Sequence, residues 1–385
     1  MFTMWLIKRK QHKTICRTDT AYCIQLIISY KYKVLKVASE LFSVKIKTEK
    51  IDNYQKINTI DAHTEGEPLR IITSGYPEVI GETMLQKRRY LEQNLDHLRQ
   101  FLMYEPRGHA DMYGALLTAP CTDQADFGIL FMHNEGYSSM CGHGIIAAVS
   151  VAIETESIAL PSPKQFIGID SPAGFIRAYA QKTNDELQVS FDNVASFVEA
   201  ENLMVNIEGF GDIHYDIAFG GAYYAYVDAD QIALPCTPEN TQQLIELGRA
   251  IKLQVMKDYL IEHPEENDLS FLYGTIFYSS KTDDPSAHSR HVCIFADGEV
   301  DRSPTGTGVS GRAALLKVKE NLENQQSVII ESIVGGKMTV SIQDSQTYHG
   351  KNAVIPRVSG RAFITGIHQF LLNKNDIFPR GFLLR

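Results

Sequence analysis

The chain has 385 residues, a length typical of two to three domains. Of these residues 44% are hydrophobic and 22% charged, as in an ordinary globular protein. The formal net charge is −9, and because residues 1–50 hold eleven Lys/Arg against three Asp/Glu, the remaining residues carry −17. Such an acidic body argues against a nucleic-acid partner, and no apolar run reaches the roughly 18 residues that a membrane helix needs.

Residues 1–56 form a basic leader, which we predict to lie outside the fold. Its charges follow a short apolar start rather than precede it, unlike those of a secretory signal. No acidic residue occurs before Asp19, so a mitochondrial presequence is the alternative, although Arg and Ser are sparse. The six cysteines are scattered without a C-x-x-C pair, which is typical of a reducing compartment. We therefore expect a cytoplasmic protein.

The globular part is predicted to begin at Ile57 with two strands joined by a polar turn. Residues 81–103 follow with leucines at helical spacing, and short apolar strands come next. Residues 144–154 are apolar nearly all round, which predicts a helix buried within a domain. The second half repeats this plan, with strands, an amphipathic helix over 237–260, more strands, a helix over 308–323 and final strands.

Two glycine turns stand at the start of the helices predicted over 144–154 and 308–323. Residues 140–144 and 304–308 both read x-[Cys/Thr]-Gly-x-Gly, and they lie 164 residues apart. The matched turns indicate an internal pseudo-repeat. We expect a first α/β half over 57–205, joined by the C-terminal segment 363–385, and a second half over 206–362.

The second turn also has the spacing of a dinucleotide-binding motif. Gly306, Gly308 and Gly311 read G-x-G-x-x-G, and Glu331 follows twenty residues after Gly311. However, a polar stretch with a proline, 301–305, stands where a buried strand should lead into the turn. Fewer than 60 residues follow Glu331, and they are predicted strands rather than further βα units. NAD is therefore a poor fit.

A compact anion suits the paired turns better. Two helix N-termini at one site would offer free backbone N–H groups and two positive dipole ends, which favour a carboxylate. Cys141 and Thr305, one on each turn, would then flank the neighbouring carbon. A thiol has a pKa of about 8.5, lowered at a helix N-terminus, so Cys141 could remove a proton from that carbon. The predicted carboxylate-binding N–H groups belong to Gly142, His143, Gly306 and Thr307.

Metal binding is a weaker interpretation of the polar residues. Cys141 and His143 form a Cys-x-His pair, but no nearby pair completes a tetrahedral zinc set. A second group could be a metal or acid–base cluster, but residues of this kind in loops more often cap turns and support a site. This group comprises His63, Glu65, Glu67, His109 and Asp111.

Long motifs carry a resemblance to a known family. The chain resembles the proline racemase family from about residue 57 to its C-terminus, in a single order of motifs. These motifs are DAHTEGEPLR (61–70), RGHADMYG (107–114), SMCGHG (139–144), FGGAY (219–223), FADGEVDRSPTGTG (295–308) and GRAFITG (360–366).

The resemblance implies a fold and a set of partners. It implies two pseudo-symmetric α/β domains of the diaminopimelate-epimerase-like kind, each a curved sheet around a central helix, with the active site between them. It also implies a homodimer that acts on a small-molecule substrate and needs neither cofactor nor metal. By the same resemblance, His143 and Asp301 hold the nitrogen of a proline-type ring.

One departure from the family pattern bears on the reaction. Racemases and epimerases of the family use two cysteines, one on each face of the α-carbon, whereas this chain has Cys141 and Thr305 at the two positions. The pair is similar to that of trans-3-hydroxy-L-proline dehydratases. It implies that Cys141 removes the α-proton, that the 3-hydroxyl leaves, and that the enamine tautomerises to pyrroline-2-carboxylate. The alternatives are a proline racemase or 4-hydroxyproline 2-epimerase that tolerates threonine, or a catalytically silent amino-acid-binding relative.

Overall fold

The computed structural model of the chain describes residue 51 and residues 54–162 and 165–384, so most of the predicted leader lies outside the described residues. The described part is a mixed α/β structure with five α-helices and seventeen strands. The helices are α1 (Met84–Tyr90), α2 (Asp96–Met103), α3 (Gly142–Glu154), α4 (Thr241–Asp258) and α5 (Gly306–Lys319). The strands are β1 (Gln55–Thr64), β2 (Glu67–Ser74), β3 (Tyr113–Thr118), β4 (Phe127–His133), β5 (Ile167–Ser171), β6 (Gly174–Thr183), β7 (Glu186–Asp192), β8 (Ser196–Ile207), β9 (Gly211–Phe219), β10 (Tyr223–Asp228), β11 (Leu272–Ser279), β12 (Ser289–Phe295), β13 (Glu299–Asp301), β14 (Ser327–Ser332), β15 (Lys337–Tyr348), β16 (Lys351–Gly360) and β17 (Ala362–Leu372).

Eight strands curve around α3, in the spatial order β17-β1-β2-β3-β4-β5-β6-β7. The pairs β2–β3 and β4–β5 are parallel, and a helical connection joins each of them, as parallel strands require. On β7, Leu187, Val189 and Phe191 are buried at alternate positions, so one face of the strand turns inward. Because strands surround α3, eleven of its thirteen residues are buried, which explains its nearly continuous apolar sequence.

A second ring of eight strands surrounds α5. Its order is β8-β9-β10-β11-β12-β14-β15-β16, and pairing of β16 with β8 closes it. The parallel pairs are β10–β11, connected through α4, and β12–β14, connected through α5. Strand β16 also pairs with β7, which links the two rings. Helix α5 is thus central to a curved antiparallel and parallel ring, not the crossover helix of a doubly wound sheet.

The two rings share the same sequence of connections. A parallel crossover, an antiparallel hairpin, a second parallel crossover through the central helix and two more antiparallel pairs occur in each. The chain changes from one group of strands to the other twice. Strand β8 follows β7 but pairs with β9, and β17 follows β16 but pairs with β1. The division of the chain into 57–205, 206–362 and 363–385 stays a prediction.

Several predicted helices have different bounds in the structure, and two of them differ as follows. The helix predicted over 81–103 is interrupted by a π-helical turn, Leu91–Leu95, between α1 and α2. The helix predicted over 308–323 begins at Gly306 and ends at Lys319, and Asn321 beyond it has a left-handed φ of +54°, a conformation that stops a helix. Short 3₁₀ segments occupy Ala229–Ile232, Pro238–Asn240 and Asn267–Leu269. Within the described ranges, no helix is both long and apolar enough to cross a membrane.

Candidate active site

The N-termini of α3 and α5 touch at their first residues. A Cβ atom added to Gly142 would lie 2.6 Å from the Cα atom of Gly306, and one added to Gly306 would lie 2.7 Å from the Cα atom of Gly142. Both distances are far below an ordinary carbon–carbon contact of about 3.5–4.0 Å. The two glycines are therefore required for the helices to approach so closely, and the positive ends of both helix dipoles converge on one point.

Cys141 is the N-cap residue of α3. Its backbone is extended (φ −147°, ψ 106°), and its carbonyl accepts the first helical hydrogen bond, from Ile145. The Sγ atom accepts the N–H of Gly144 at 3.2 Å, and the Nδ1 atom of His143 lies 3.2 Å from it. The N-cap side chain of α3 is therefore a thiol, which is buried and held by its own helix.

Thr305 is the N-cap residue of α5, but its backbone differs from that of Cys141. It has a φ of +68°, a region that β-branched residues rarely enter, which marks a strained position. Its side chain does not cap the helix, and its Oγ1 atom makes no hydrogen bond to a nitrogen or oxygen of the described residues. The hydroxyl is nevertheless buried, so the local structure leaves a polar atom uncommitted beside the meeting point of the helices.

All residues predicted to form the site line one small cavity at this point. Its volume is about 20 Å³, close to what a single water molecule requires, so a larger ligand needs the surrounding side chains to move apart. The predicted residues that line it are Cys141, Gly142, His143, Asp301, Thr305, Gly306 and Thr307. Met140, Tyr113, Tyr224, Tyr273 and Phe295 complete the lining.

Comparison with known proteins gives the family. The sequence profile described as "Proline racemase" matches residues 59–383. The chain belongs to the proline racemase family. A protein of Colwellia psychrerythraea named trans-3-hydroxy-L-proline dehydratase is 47% identical over 335 residues, which cover 87% of this chain and 94% of the relative. A Burkholderia multivorans protein named 3-hydroxyproline 2-epimerase is 41% identical over 332 residues, 86% of this chain and 99% of the relative.

Solved structures of this family share the fold. The crystal structure of a hydroxyproline epimerase from Agrobacterium vitis, with bound trans-4-hydroxy-L-proline, superposes with a TM-score of 0.80 at 30% sequence identity. The match covers 86% of this chain and 95% of that chain. The expectation of a mixed α/β fold of this family is therefore confirmed. The predicted homodimer stays a prediction.

Sequence reasoning missed the aromatic part of this proline racemase family site. Tyr113 lies inside the RGHADMYG motif and Phe295 begins the motif 295–308, so both could have been found from motif membership. Tyr224 directly follows the FGGAY motif, and its hydroxyl shares a 2.7 Å hydrogen bond with Thr307 Oγ1. Tyr273 lies outside the motifs, and only the tertiary structure brings its ring to the cavity.

Burial dominates the acidity of the thiol. It raises the pKa of Cys141 well above the ordinary value, and the charges of Asp301 and Glu67 act in the same direction. The hydrogen bond from the Gly144 N–H lowers the pKa of the thiol, and the Tyr113 hydroxyl acts in the same direction, but burial raises the pKa by more. The first turn of the helix thus lowers the pKa of this thiol as expected, but the desolvation of a thiolate raises it by more.

Histidine 143 is uncharged in this environment. Burial lowers its pKa to about 4, and the nearby charge of Asp301 only partly opposes that effect. The backbone carbonyl of His143 accepts a hydrogen bond from Thr64 Oγ1 at 2.8 Å, which holds the first turn of α3 against β1. At neutral pH the imidazole is therefore unprotonated, and one of its ring nitrogens can accept a hydrogen bond.

Acidic residues support the turn before α5. Asp301 Oδ1 accepts the N–H of Ser303 at 2.7 Å. Glu67, fully buried, accepts the backbone N–H of Arg302 at 2.6 Å and lies 3.1 Å from its Nε atom. Burial, followed by the charge of Asp301, raises the pKa of Glu67. Glu67 thus anchors the segment that carries Asp301 and Thr305.

The other loop residues considered from sequence are spread over the surroundings of the site. Glu65 accepts the N–H groups of Lys337 and Arg361, which ties the turn between β1 and β2 to the last strands. Arg302 lies 3.7 Å from Asp111. In the part of the chain that the structure describes, no three His, Cys, Asp or Glu side chains are grouped so that they could hold a metal ion.

Proposed function

We propose that this chain dehydrates trans-3-hydroxy-L-proline to pyrroline-2-carboxylate without a cofactor. One observation carries the proposal: a thiol, Cys141, and a hydroxyl, Thr305, occupy the N-cap positions of two helices that touch end to end. Racemisation requires a proton acceptor on one face of the α-carbon and a proton donor on the other. A threonine hydroxyl is a far weaker acid than a thiol, so only one face has an effective base. Relatives named as 3-hydroxyproline enzymes agree with this substrate class.

Binding of the substrate would use both helix ends. The carboxylate would accept backbone N–H groups from the first turns of α3 and α5, where neither helix can satisfy them internally. These donors are Gly142, His143, Gly306 and Thr307. Shared binding by the two halves places the α-carbon between Cys141 and Thr305, because both N-cap residues precede those donors directly.

The ring nitrogen would lie between Asp301 and His143. The carboxylate of Asp301 compensates the positive charge of the secondary ammonium. His143, with a pKa of about 4, stays neutral and accepts an N–H from the ring without repelling it. The ammonium also places a positive charge next to Cys141. That charge and the two helix N-termini favour the thiolate, which opposes the effect of burial on the pKa of this thiol.

Chemistry then follows from the single base. The Cys141 thiolate removes the α-proton, and the negative charge that develops on the α-carbon and carboxylate is stabilised by the helix N-termini. The bond between C3 and the hydroxyl oxygen breaks, a double bond forms between the α-carbon and C3, and water leaves. The resulting enamine tautomerises to the ketimine pyrroline-2-carboxylate.

Three substrates test the proposal. Purified protein is incubated separately with trans-3-hydroxy-L-proline, trans-4-hydroxy-L-proline and L-proline, followed by ketimine detection and chiral chromatography. We expect ketimine from the first substrate only and unchanged chirality in the other two. Cys141→Ser should lower turnover at least about 1,000-fold, since a serine hydroxyl does not ionise as a thiol does. Cys236→Ser removes a thiol buried in a different hydrophobic cluster and should leave turnover within about threefold.

Other outcomes would replace the proposal. Inverted chirality at the α-carbon without ketimine would show a racemase or 2-epimerase, the activity named for the Burkholderia multivorans relative. Tight binding of the planar analogue pyrrole-2-carboxylate, with no turnover of any proline derivative, would show a binding protein.

A further inference from the structure

Departure of the 3-hydroxyl requires a proton donor, and this need rests on the function proposed above. Hydroxide is a poor leaving group, so elimination is slow unless an acid protonates the departing oxygen. The question is which side chain of the cavity can reach that oxygen.

Stereochemistry restricts the answer. In trans-3-hydroxy-L-proline, the hydroxyl and the α-hydrogen both lie on the face of the ring opposite the carboxylate. The base and the acid must therefore act from the same face of the ring, the face of Cys141.

Tyr113 belongs, like Cys141, to the group of elements formed by α3 and the strands around it. It begins β3 and lines the same cavity as Cys141, and its hydroxyl lowers the pKa of the Cys141 thiol. Its ring packs edge-on against that of His143, with 4.8 Å between the ring centres. A hydrogen bond to Ser138 Oγ fixes the phenol oxygen, and the Tyr273 hydroxyl lies 3.4 Å away. The phenol is thus buried and oriented, and it lines the same small cavity as the predicted base.

The remaining hydroxyls of the cavity are less suitable. Those of Tyr224 and Thr307 are hydrogen-bonded to each other at 2.7 Å. Thr305 belongs to the opposite helix end and would face the other side of the ring. Tyr273 also lines the cavity, but it lies on β11, one of the strands around α5, and its hydroxyl is 3.4 Å from that of Tyr113. The packing of Tyr113 against His143, whose Nδ1 atom lies 3.2 Å from Cys141 Sγ, therefore distinguishes Tyr113.

We propose that Tyr113 protonates the departing 3-hydroxyl in a syn elimination and that Cys141 returns the proton to Tyr113. The Cα–H bond breaks and its proton moves to Sγ, while the electron pair forms the Cα=C3 bond. The C3–O bond breaks, and the phenol proton moves to the oxygen to give water. The new thiol then transfers its proton to the phenolate within the cavity that both groups line. Thiolate and phenol are regenerated, and the products are the enamine and water, so no further reactant is needed.

Tyr113→Phe separates this role from a structural one. The variant should lower kcat for dehydration about 100-fold, within the range of about 10²–10⁴ for the loss of a general acid. Because Cys141 remains, exchange of the substrate α-hydrogen with deuterium from solvent should persist within a few-fold. With trans-3-chloro-L-proline, whose chloride leaves without a proton, the variant should match the wild type after subtraction of the uncatalysed rate. Tyr226→Phe is the matched control, because it removes an equally buried hydroxyl, bonded to the Gly308 carbonyl, that does not line the cavity.

The wild type supplies a second test that needs no variant. In cis-3-hydroxy-L-proline the hydroxyl lies on the face opposite the α-hydrogen, away from Tyr113. We expect the wild type to exchange its α-hydrogen but to dehydrate it at least about 100-fold more slowly than the trans isomer.

Three results would overturn the assignment of Tyr113. The first is a kcat for dehydration in Tyr113→Phe equal to that of the wild type. The second is an equal loss of kcat in Tyr113→Phe and Tyr226→Phe. The third is dehydration of the cis and trans isomers by the wild type at equal rates. Absence of ketimine from the wild type with the trans isomer would instead contradict the proposed function itself. The two failures are therefore distinguishable.

Discussion

Replacing Gly142 with alanine would place a methyl group between the first turns of α3 and α5. The added carbon would lie 2.6 Å from the Gly306 Cα atom and 2.9 Å from the Phe191 ring. An ordinary contact needs about 3.5–4.0 Å, so the helix ends must separate by about 1 Å. Overpacking of this kind costs about 1–3 kcal/mol of unfolding free energy. A displacement of about 1 Å at reacting groups lowers the rate about 100-fold, because Cys141 and the carboxylate-binding N–H groups move apart.

Two measurements check this estimate. Steady-state ketimine formation from trans-3-hydroxy-L-proline should show kcat/KM for Gly142→Ala about 100-fold below the wild type. Thermal unfolding should show a Tm lower by a few degrees. Gly136→Ala is the control, since a Cβ atom at Gly136 meets nothing within 4 Å and its φ lies outside the left-handed region. Wild-type activity together with a wild-type Tm in Gly142→Ala would show that close contact of the helix ends is not required.

Three further expectations follow from the site. Because burial raises the pKa of Cys141, kcat/KM should increase from neutral pH to about pH 9, and a flat pH–rate profile over that range would contradict a thiolate base. His143, with a pKa of about 4, should add no inflection between about pH 5 and 8. Thr305→Cys should gain slow epimerisation of a proline derivative in chiral chromatography, since it restores a thiol on the second face; efficient racemisation of proline by the wild type would refute the single-base argument. Iodoacetate should inactivate the wild type with Cys141 as the alkylated residue in peptide mass spectra, and pyrrole-2-carboxylate should slow the loss; rapid inactivation with Cys141 unmodified would argue against it. Cys293, buried and outside the cavity lining, should stay unmodified.

Local patterns in the sequence determined the central helices and the site turns. Residues 144–154 are apolar on every side, and such a helix is stable only when it is surrounded, as α3 is. The turns at Cys141 and Thr305 were visible because both residues precede a Gly-x-Gly sequence, whose missing side chains leave room at the start of a helix. Seven cavity residues could be predicted because they are neighbours in the chain, within 141–143 and 301–307. Because these residues include Cys141, the type of reaction could also be inferred from the sequence.

Only the tertiary structure decided how these turns meet. The separation of Gly142 and Gly306 depends on two groups of eight strands that curve around α3 and α5, and strand pairings such as β17 with β1 join residues about 300 positions apart. Tyr113 and Tyr273 come from different rings, so no local pattern could place their hydroxyls 3.4 Å apart. The pKa of Cys141 depends in the same way on tertiary contacts, because desolvation arises from every atom that excludes water from the thiol, and most of those atoms are distant in sequence.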